Sequence, residues 1–225
     1  MRKAAFIVIG IVALVEIGLW TGVFWTRSRG SSRAGGGPVV LISIDTLRAD
    51  HLPVYGYTHL RTPNIDTLAA QGAVFEQAWS HAPQTLPAHT SILSGRLPFE
   101  HGVRDNIGFT VKPGQWMIQK ALAARGWPAG GFVSAFVLRS ATGIGQGFTT
   151  YDSEMPPSSG ELSIGQVQRS GENTLAVAEK WLDARDRAQP FFLFFHIYEP
   201  HKPYSPLRCT CPIDSSPDEG GISLS

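Results

Sequence analysis

Thr85, within Pro83 to Arg96 (PQTLPAHTSILSGR), is the alcohol in this sequence best placed to act as a nucleophile. Pro87 marks the first residue of a helix, so Thr85 sits just before it. Its hydroxyl then lies near backbone N–H groups that have no intrahelical partner and near the positive end of the helix dipole. An alkoxide is stabilised at such a place. A divalent cation is the usual means of making a weak alcohol nucleophilic near neutral pH. Asp45, at the end of the apolar run PVVLISID, can hold that cation against the same oxygen. His89 follows Thr85 by one helical turn and can reach the same place, and Asn106 is a neutral amide donor suited to a phosphoryl or sulfuryl oxygen.

These side chains need a scaffold, and the pattern of the chain supplies one. Pro38 to Asp45 is β-branched, apolar and bounded by glycine, the mark of a buried central strand. Thr62 and Pro63 form an N-cap and first-turn pair ahead of Ile65, Leu68 and Ala69, which predicts a helix ending at Gly72. A strand is expected from Val74 to Trp79, a short helix from Pro87 through Leu93, and another from Gln115 to Arg125 before Gly126. Ala129 to Ser134 reads as a strand, 142–165 as irregular glycine-rich chain, Asn173 to Asp186 as a helix, and FFLFFHI from Phe191 as the most apolar strand of the set. This alternation predicts an α/β domain whose largely parallel sheet is covered on both faces. Ligands gather at the C-terminal ends of such strands. Asp45, the turn from Ala82 to Thr90, and His196 to Tyr204 all fall there. His196 itself reads as a satisfied core side chain.

The stretch from Val39 to Asn106 resembles the N-terminal domain of the sulfatase family, in the alkaline phosphatase superfamily. VVLISIDTLRADHLPVYGY is similar to the strand that delivers the first metal-ligating acid, here Asp45. TPNIDTLAAQGAVFEQAW resembles the family's T-P-N-x-D-x-L-A-x-x-G-x-x-F segment, and TLPAHTSILSGRLPFEHG resembles C/S-x-P-S-R-x-x-L-x-T-G-R-x-P-x-x-H-G, with Thr85 at the nucleophile position. FFLFFHIYEPHKPY resembles the segment that places a substrate-contacting histidine, which is His201 here. The likeness covers about residues 38–207. It implies a three-layer αβα architecture with a mostly parallel central sheet, incomplete at the C-terminus, and a divalent metal (Zn, Mn or Ca) held in part by Asp45.

Departures from the family pattern bear on the chemistry. Sulfatases oxidise a cysteine or serine to formylglycine, and threonine cannot yield that aldehyde. His89 stands where the signature has arginine, Thr46 where a second acid is expected, and SAFVL where a lysine-x-histidine pair is expected. Threonine with a downstream asparagine resembles the phosphodiesterase and the phosphoethanolamine- or glycerophosphate-transferring branches of the superfamily. The S-D-H-G type of segment that completes the metal site does not occur in these residues. The chain as it stands is therefore expected to be inactive or barely folded, and a non-catalytic fragment or pseudoenzyme is the competing reading.

With 43% hydrophobic and 16% charged residues, the 225-residue chain can bury one sizeable core. Nineteen basic against eighteen acidic side chains leave no field to gather nucleic acid. The substrate expected is a small-molecule, lipid or glycan ester. Cys209 and Cys211 form neither a disulfide framework nor a four-ligand zinc pattern. At the start, Ala4 to Trp25 is apolar over about the length of a membrane-spanning helix, follows Arg2 and Lys3, and carries Trp20 and Trp25 at one end. Residues 1–25 are expected to be a transmembrane anchor or signal segment, 26–37 a flexible Gly/Ser/Arg linker, and 208–225 an irregular tail. The domain is expected outside the cytoplasm, periplasmic or extracellular.

Overall fold

The computed structural model describes residues 36–156 and 167–201. The expected membrane segment, most of the linker and the tail lie outside the described residues, as does Lys202 to Leu207. Among the described residues no helix is long and apolar enough to cross a membrane.

Strands β1 (Val39–Ile44), β2 (Ala129–Val133), β3 (Thr150–Asp152) and β4 (Phe192–Ile197) form one parallel sheet in the order β1-β4-β2-β3. Its helices are α1 (Pro63–Gln71), α2 (Thr85–Ser94), α3 (Pro98–His101), α4 (Ile118–Ala123) and α5 (Gly171–Ala184). The alternation of side chains along β4 explains how the sheet is sandwiched. Phe192 and Phe194 point into a core with Leu86 and Leu93 of α2, Met117, Val133 and Leu138. Phe191, Leu193 and Phe195 point the other way, onto Ala178, Trp181 and Leu182 of α5. Both faces are thus covered by helices, as a parallel sheet demands. The close fit leaves no room at Gly131, where an added Cβ would stand 2.5 Å from the Tyr151 ring.

Three expectations are corrected. β1 is an edge strand of the described sheet, bonded only to β4, and Val39, Val40 and Ile42 are exposed; β4 takes the central place because it alone pairs on both sides with long partners. No strand forms from Val74 to Trp79, and Phe75 and Trp79 are 74% and 77% exposed. The apolar residues there come as adjacent pairs, Val74-Phe75 and Ala78-Trp79, so neither face of an extended chain is continuously apolar. Finally, β3 lies inside the stretch expected to be irregular.

Helix α2 begins at Thr85, two residues earlier than expected, because extended Gln84 serves as its N-cap and accepts from the Ala88 N–H at 3.0 Å. Pro87 falls in the first turn, where a missing N–H costs no intrahelical bond.

Candidate functional site

The C-terminal ends of β1 and β4 and the N-terminus of α2 meet at one place. Asp45 follows directly on β1, and its N–H donates to the Ile197 carbonyl at 2.9 Å, which extends the ladder by one residue and fixes where the carboxylate starts. Thr85 opens α2, whose Leu86 and Leu93 are fully buried. The Thr85 hydroxyl donates to Asp45 Oδ2 at 2.9 Å. The oxygen singled out as nucleophile and the acid singled out as metal ligand are therefore in direct contact.

Asn106 lies at the same helix end. Its Oδ1 accepts the Leu86 N–H at 2.8 Å, and next to it Asp105 accepts from Gln84 Nε2 at 3.1 Å, so the loop is clamped to the first turn of α2 at two points. With Leu86 satisfied and Pro87 lacking a donor, the Thr85 N–H is the donor of that turn with no partner among the described residues. The two Nδ2 hydrogens of Asn106 are likewise without one.

His89 is buried beside this group but does not aim at the Thr85 hydroxyl. Its Nδ1 lies 2.7 Å from the Thr85 carbonyl, and its Nε2 lies 2.7 Å from Ser43 Oγ. A carbonyl only accepts, so Nδ1 carries the proton and Nε2 accepts from Ser43. Burial, reinforced by the neighbouring His196, pushes the imidazole down to about 4, which keeps it neutral near pH 7. Ser43 and Asp45 share one face of β1, and their polarity in an otherwise apolar run is the signal that the strand end is built for more than packing.

His201 follows a cis Glu199–Pro200 bond. It is half-buried, stacks on Tyr198 with ring centroids 4.3 Å apart, and donates its N–H to the Tyr198 carbonyl at 2.9 Å. Tyr198 sits close to Asp45: burial first, and then the carboxylate charge, push its phenol up to about 12.

His196 departs from its expected role. It is fully buried, as expected, but neither ring nitrogen makes a hydrogen bond. Its Nε2 lies 3.5 Å from Asp45 Oδ2, and its ring meets His89 edge-on at 4.9 Å. Its apolar flanks in FFLFFHI point to core; the signal of a second role is a lone imidazole at the C-terminal end of that strand, where strand ends gather ligands. Burial raises the Asp45 carboxyl, but His196, Thr85 and His89 outweigh it and hold the group below its ordinary range. Thr46, next in sequence, has a φ of 57°, the one non-glycine left-handed residue among those described.

Among the described residues no three His, Cys, Asp or Glu side chains gather around a common point. A carboxylate, a hydroxyl and a buried imidazole with both nitrogens unpaired nevertheless fit a divalent cation in kind.

The sequence matches the family model described as Sulfatase over residues 38–220, thirteen residues past the expected limit of the likeness at residue 207. Arylsulfatase of Clostridium perfringens is 39% identical over 64 residues, 28% of this chain and 13% of the relative. Human N-acetylgalactosamine-6-sulfatase is 31% identical over 96 residues, 41% of this chain and 18% of that protein. Among solved structures, BT4656 in complex with its substrate D-glucosamine-2-N,6-O-disulfate superposes with a TM-score of 0.64 at 21% identity, covering 76% of this chain and 36% of that one. The phosphonate monoester hydrolase of Agrobacterium radiobacter superposes with a TM-score of 0.59 at 20% identity, covering 74% and 41%. The aligned part is under half of each of these relatives.

Proposed function

The chain belongs to the sulfatase family, and from that footing we propose that it carries the nucleophile half of a metal-dependent hydrolase for sulfate or phosphate esters. The observation that carries this reading is the 2.9 Å hydrogen bond from Thr85 to Asp45 Oδ2 at a helix N-terminus. Asp45 and Thr85 would hold the divalent cation, Zn, Mn or Ca. When bound, it supplies positive charge that eases loss of the hydroxyl proton and offsets charge on the ester oxygens.

The protein's own part follows from the geometry. Asp45 Oδ2 accepts the hydrogen bond of the Thr85 hydroxyl, so it orients the proton that must leave Thr85. The Thr85 oxygen would form the new bond to phosphorus or sulfur as the bond to the ester oxygen breaks, the departing alkoxide taking up the proton as it leaves as an alcohol. Water, or an acceptor alcohol in a transferase, then cleaves the group from Thr85 and restores its hydroxyl. The Thr85 N–H and the Asn106 amide are donors for an oxygen of the tetrahedral group, at the positive end of α2. His201, carried on Tyr198, is a donor for the substrate. His89 acts on orientation: its two bonds tie the first turn of α2 to Ser43 of β1.

Threonine favours phosphate esters, because the unmodified alcohol can attack phosphorus directly. A phosphodiesterase, or a transferase for phosphoethanolamine or glycerophosphate groups, is the form of the reaction this residue supports. The substrate would be a small-molecule, lipid or glycan ester. The apolar run from Ala4 to Trp25 supports tethering at a membrane with the domain outside the cytoplasm; recovery of the protein in the alkali-resistant membrane fraction tests it.

A non-catalytic role is the second reading, favoured by the want of a third acid or histidine around Asp45 among the described residues. One experiment separates the two. The full chain is incubated with Zn or Mn and either an aryl phosphodiester or an aryl sulfate. Turnover that disappears with Thr85→Ala supports the catalytic reading; turnover that survives it, or no turnover by the parent chain, counts against it.

A further inference from the structure

His196 is the histidine in the described structure that is completely buried, lies at a strand end facing the site, and has no hydrogen bond at either ring nitrogen. A buried imidazole without hydrogen bonds carries a desolvation cost that nothing in the fold offsets. Such a group points to a ligand that completes it. Among the described residues, the one polar side chain within reach of the ring nitrogens is Asp45, at 3.5 Å from Nε2. Phe194 and Phe192, two and four residues earlier on the same face of β4, are plain aromatic core.

Geometry identifies what would complete it. His196 Nε2 stands 3.5 Å from Asp45 Oδ2, and that same oxygen stands 2.9 Å from Thr85 Oγ1. The first separation is too long for a good hydrogen bond. It matches the spacing between adjacent donors on a four-coordinate zinc-type ion, about 3.3–3.4 Å for bonds of about 2.0–2.1 Å. His89, the other ring at this place, has both nitrogens engaged and is not a competitor.

We infer that His196 Nε2 is a direct ligand of the cation at this site, one corner of a set whose other corners in this chain are Asp45 Oδ2 and the Thr85 oxygen. The inference rests on the metal-dependent reading of the site and adds a ligand to it. An imidazole among the donors selects a borderline ion such as Zn over Ca, which takes oxygen ligands. It also anchors the cation to β4 as well as β1, so the two paired strands hold the ion in common.

The test uses the full chain, apo and with Zn or Co added as the probe. Calorimetry should give one site; His196→Gln should weaken it at least about tenfold, and Asp45→Asn should do so as well. Spectra of nitrogen-15-labelled histidine in the unsubstituted protein should show a Zn-dependent shift of the His196 ring nitrogens while those of His101 stay in place. This second readout does not depend on whether a variant folds. If Asp45→Asn loses the metal while His196→Gln keeps it and the His196 signals do not move, the inference falls and the reading of the site stands. If the unsubstituted chain takes up neither ion, both fall.

Discussion

Thr85 donates its hydroxyl to Asp45 Oδ2 across 2.9 Å although forty residues of chain separate them. Both ends are held from behind: Asp45 by its N–H bond to Ile197 of the central strand, Thr85 by a helix whose Leu86 and Leu93 are fully buried. The contact therefore expresses the packing of α2 on the sheet and does not depend on a loose surface loop.

Removing that hydroxyl tests the chemistry most directly. Where ester turnover is measured, Thr85→Ala is expected to lower kcat roughly 10³- to 10⁶-fold with little change in KM, as the loss of a nucleophile does. Thr85→Ser keeps the oxygen and should retain a measurable part. Steady-state kinetics on an aryl phosphodiester decide.

Asn106→Ala should loosen the same helix end. It removes the acceptor of the Leu86 N–H and leaves that donor of the first turn unsatisfied, which costs about 0.5–2 kcal/mol by analogy with a lost N-terminal cap. Asn106→Asp keeps the acceptor and should cost less. Urea denaturation of the two variants compares them.

Acid should destabilise the fold in a defined window through His89. Its ordinary value is 6.5 and the folded protein lowers it to about 4, chiefly by burial. Between those values the unfolded chain binds the proton and the folded one does not. Stability is therefore complete above about pH 6.5 and is lost as pH falls toward 4, on the order of a few kcal/mol. His89→Gln should flatten the curve there. Asp45, held below its ordinary 3.8, adds its own loss only at lower pH, so the two contributions separate in a denaturation series.

Thr46 holds a β-branched residue at a φ of 57°, a conformation that costs about 1–2 kcal/mol. Asparagine and aspartate tolerate it better. Thr46→Asn should raise stability by about 0.5–1 kcal/mol. Thr46→Asp places a second carboxylate beside Asp45, so its gain should appear only when a divalent cation is added. Urea midpoints with and without Zn measure both.

Much of this arrangement was legible in the residues. An acid closing a β-branched run and a threonine two residues ahead of a helix-opening proline were enough to bring Asp45 and Thr85 to one strand end. The apolar periods of α2, α5, β2 and β4 were visible as well. What escaped depends on information that local pattern lacks. Edge or centre is decided by pairing between distant strands, so PVVLISID looked central and β4 took that position. Val74 to Trp79 had strand-forming residues but no alternation to bury. His196 was placed correctly inside, yet whether a buried ring finds a partner depends on atoms from three other segments. Nothing in the letters around Thr46 announces a left-handed backbone.

The exposed flank of β1 has a consequence for the handling of this chain in solution. Val39, Val40 and Ile42 are 40%, 48% and 55% exposed, beside a ladder edge with no pairing strand among the described residues. A bare apolar edge is a template for stacking molecules through their backbones. Concentrated preparations should lose monodispersity by that route, and Ile42→Lys would act as a gatekeeper that keeps the chain soluble, on the face of the strand opposite Ser43 and Asp45.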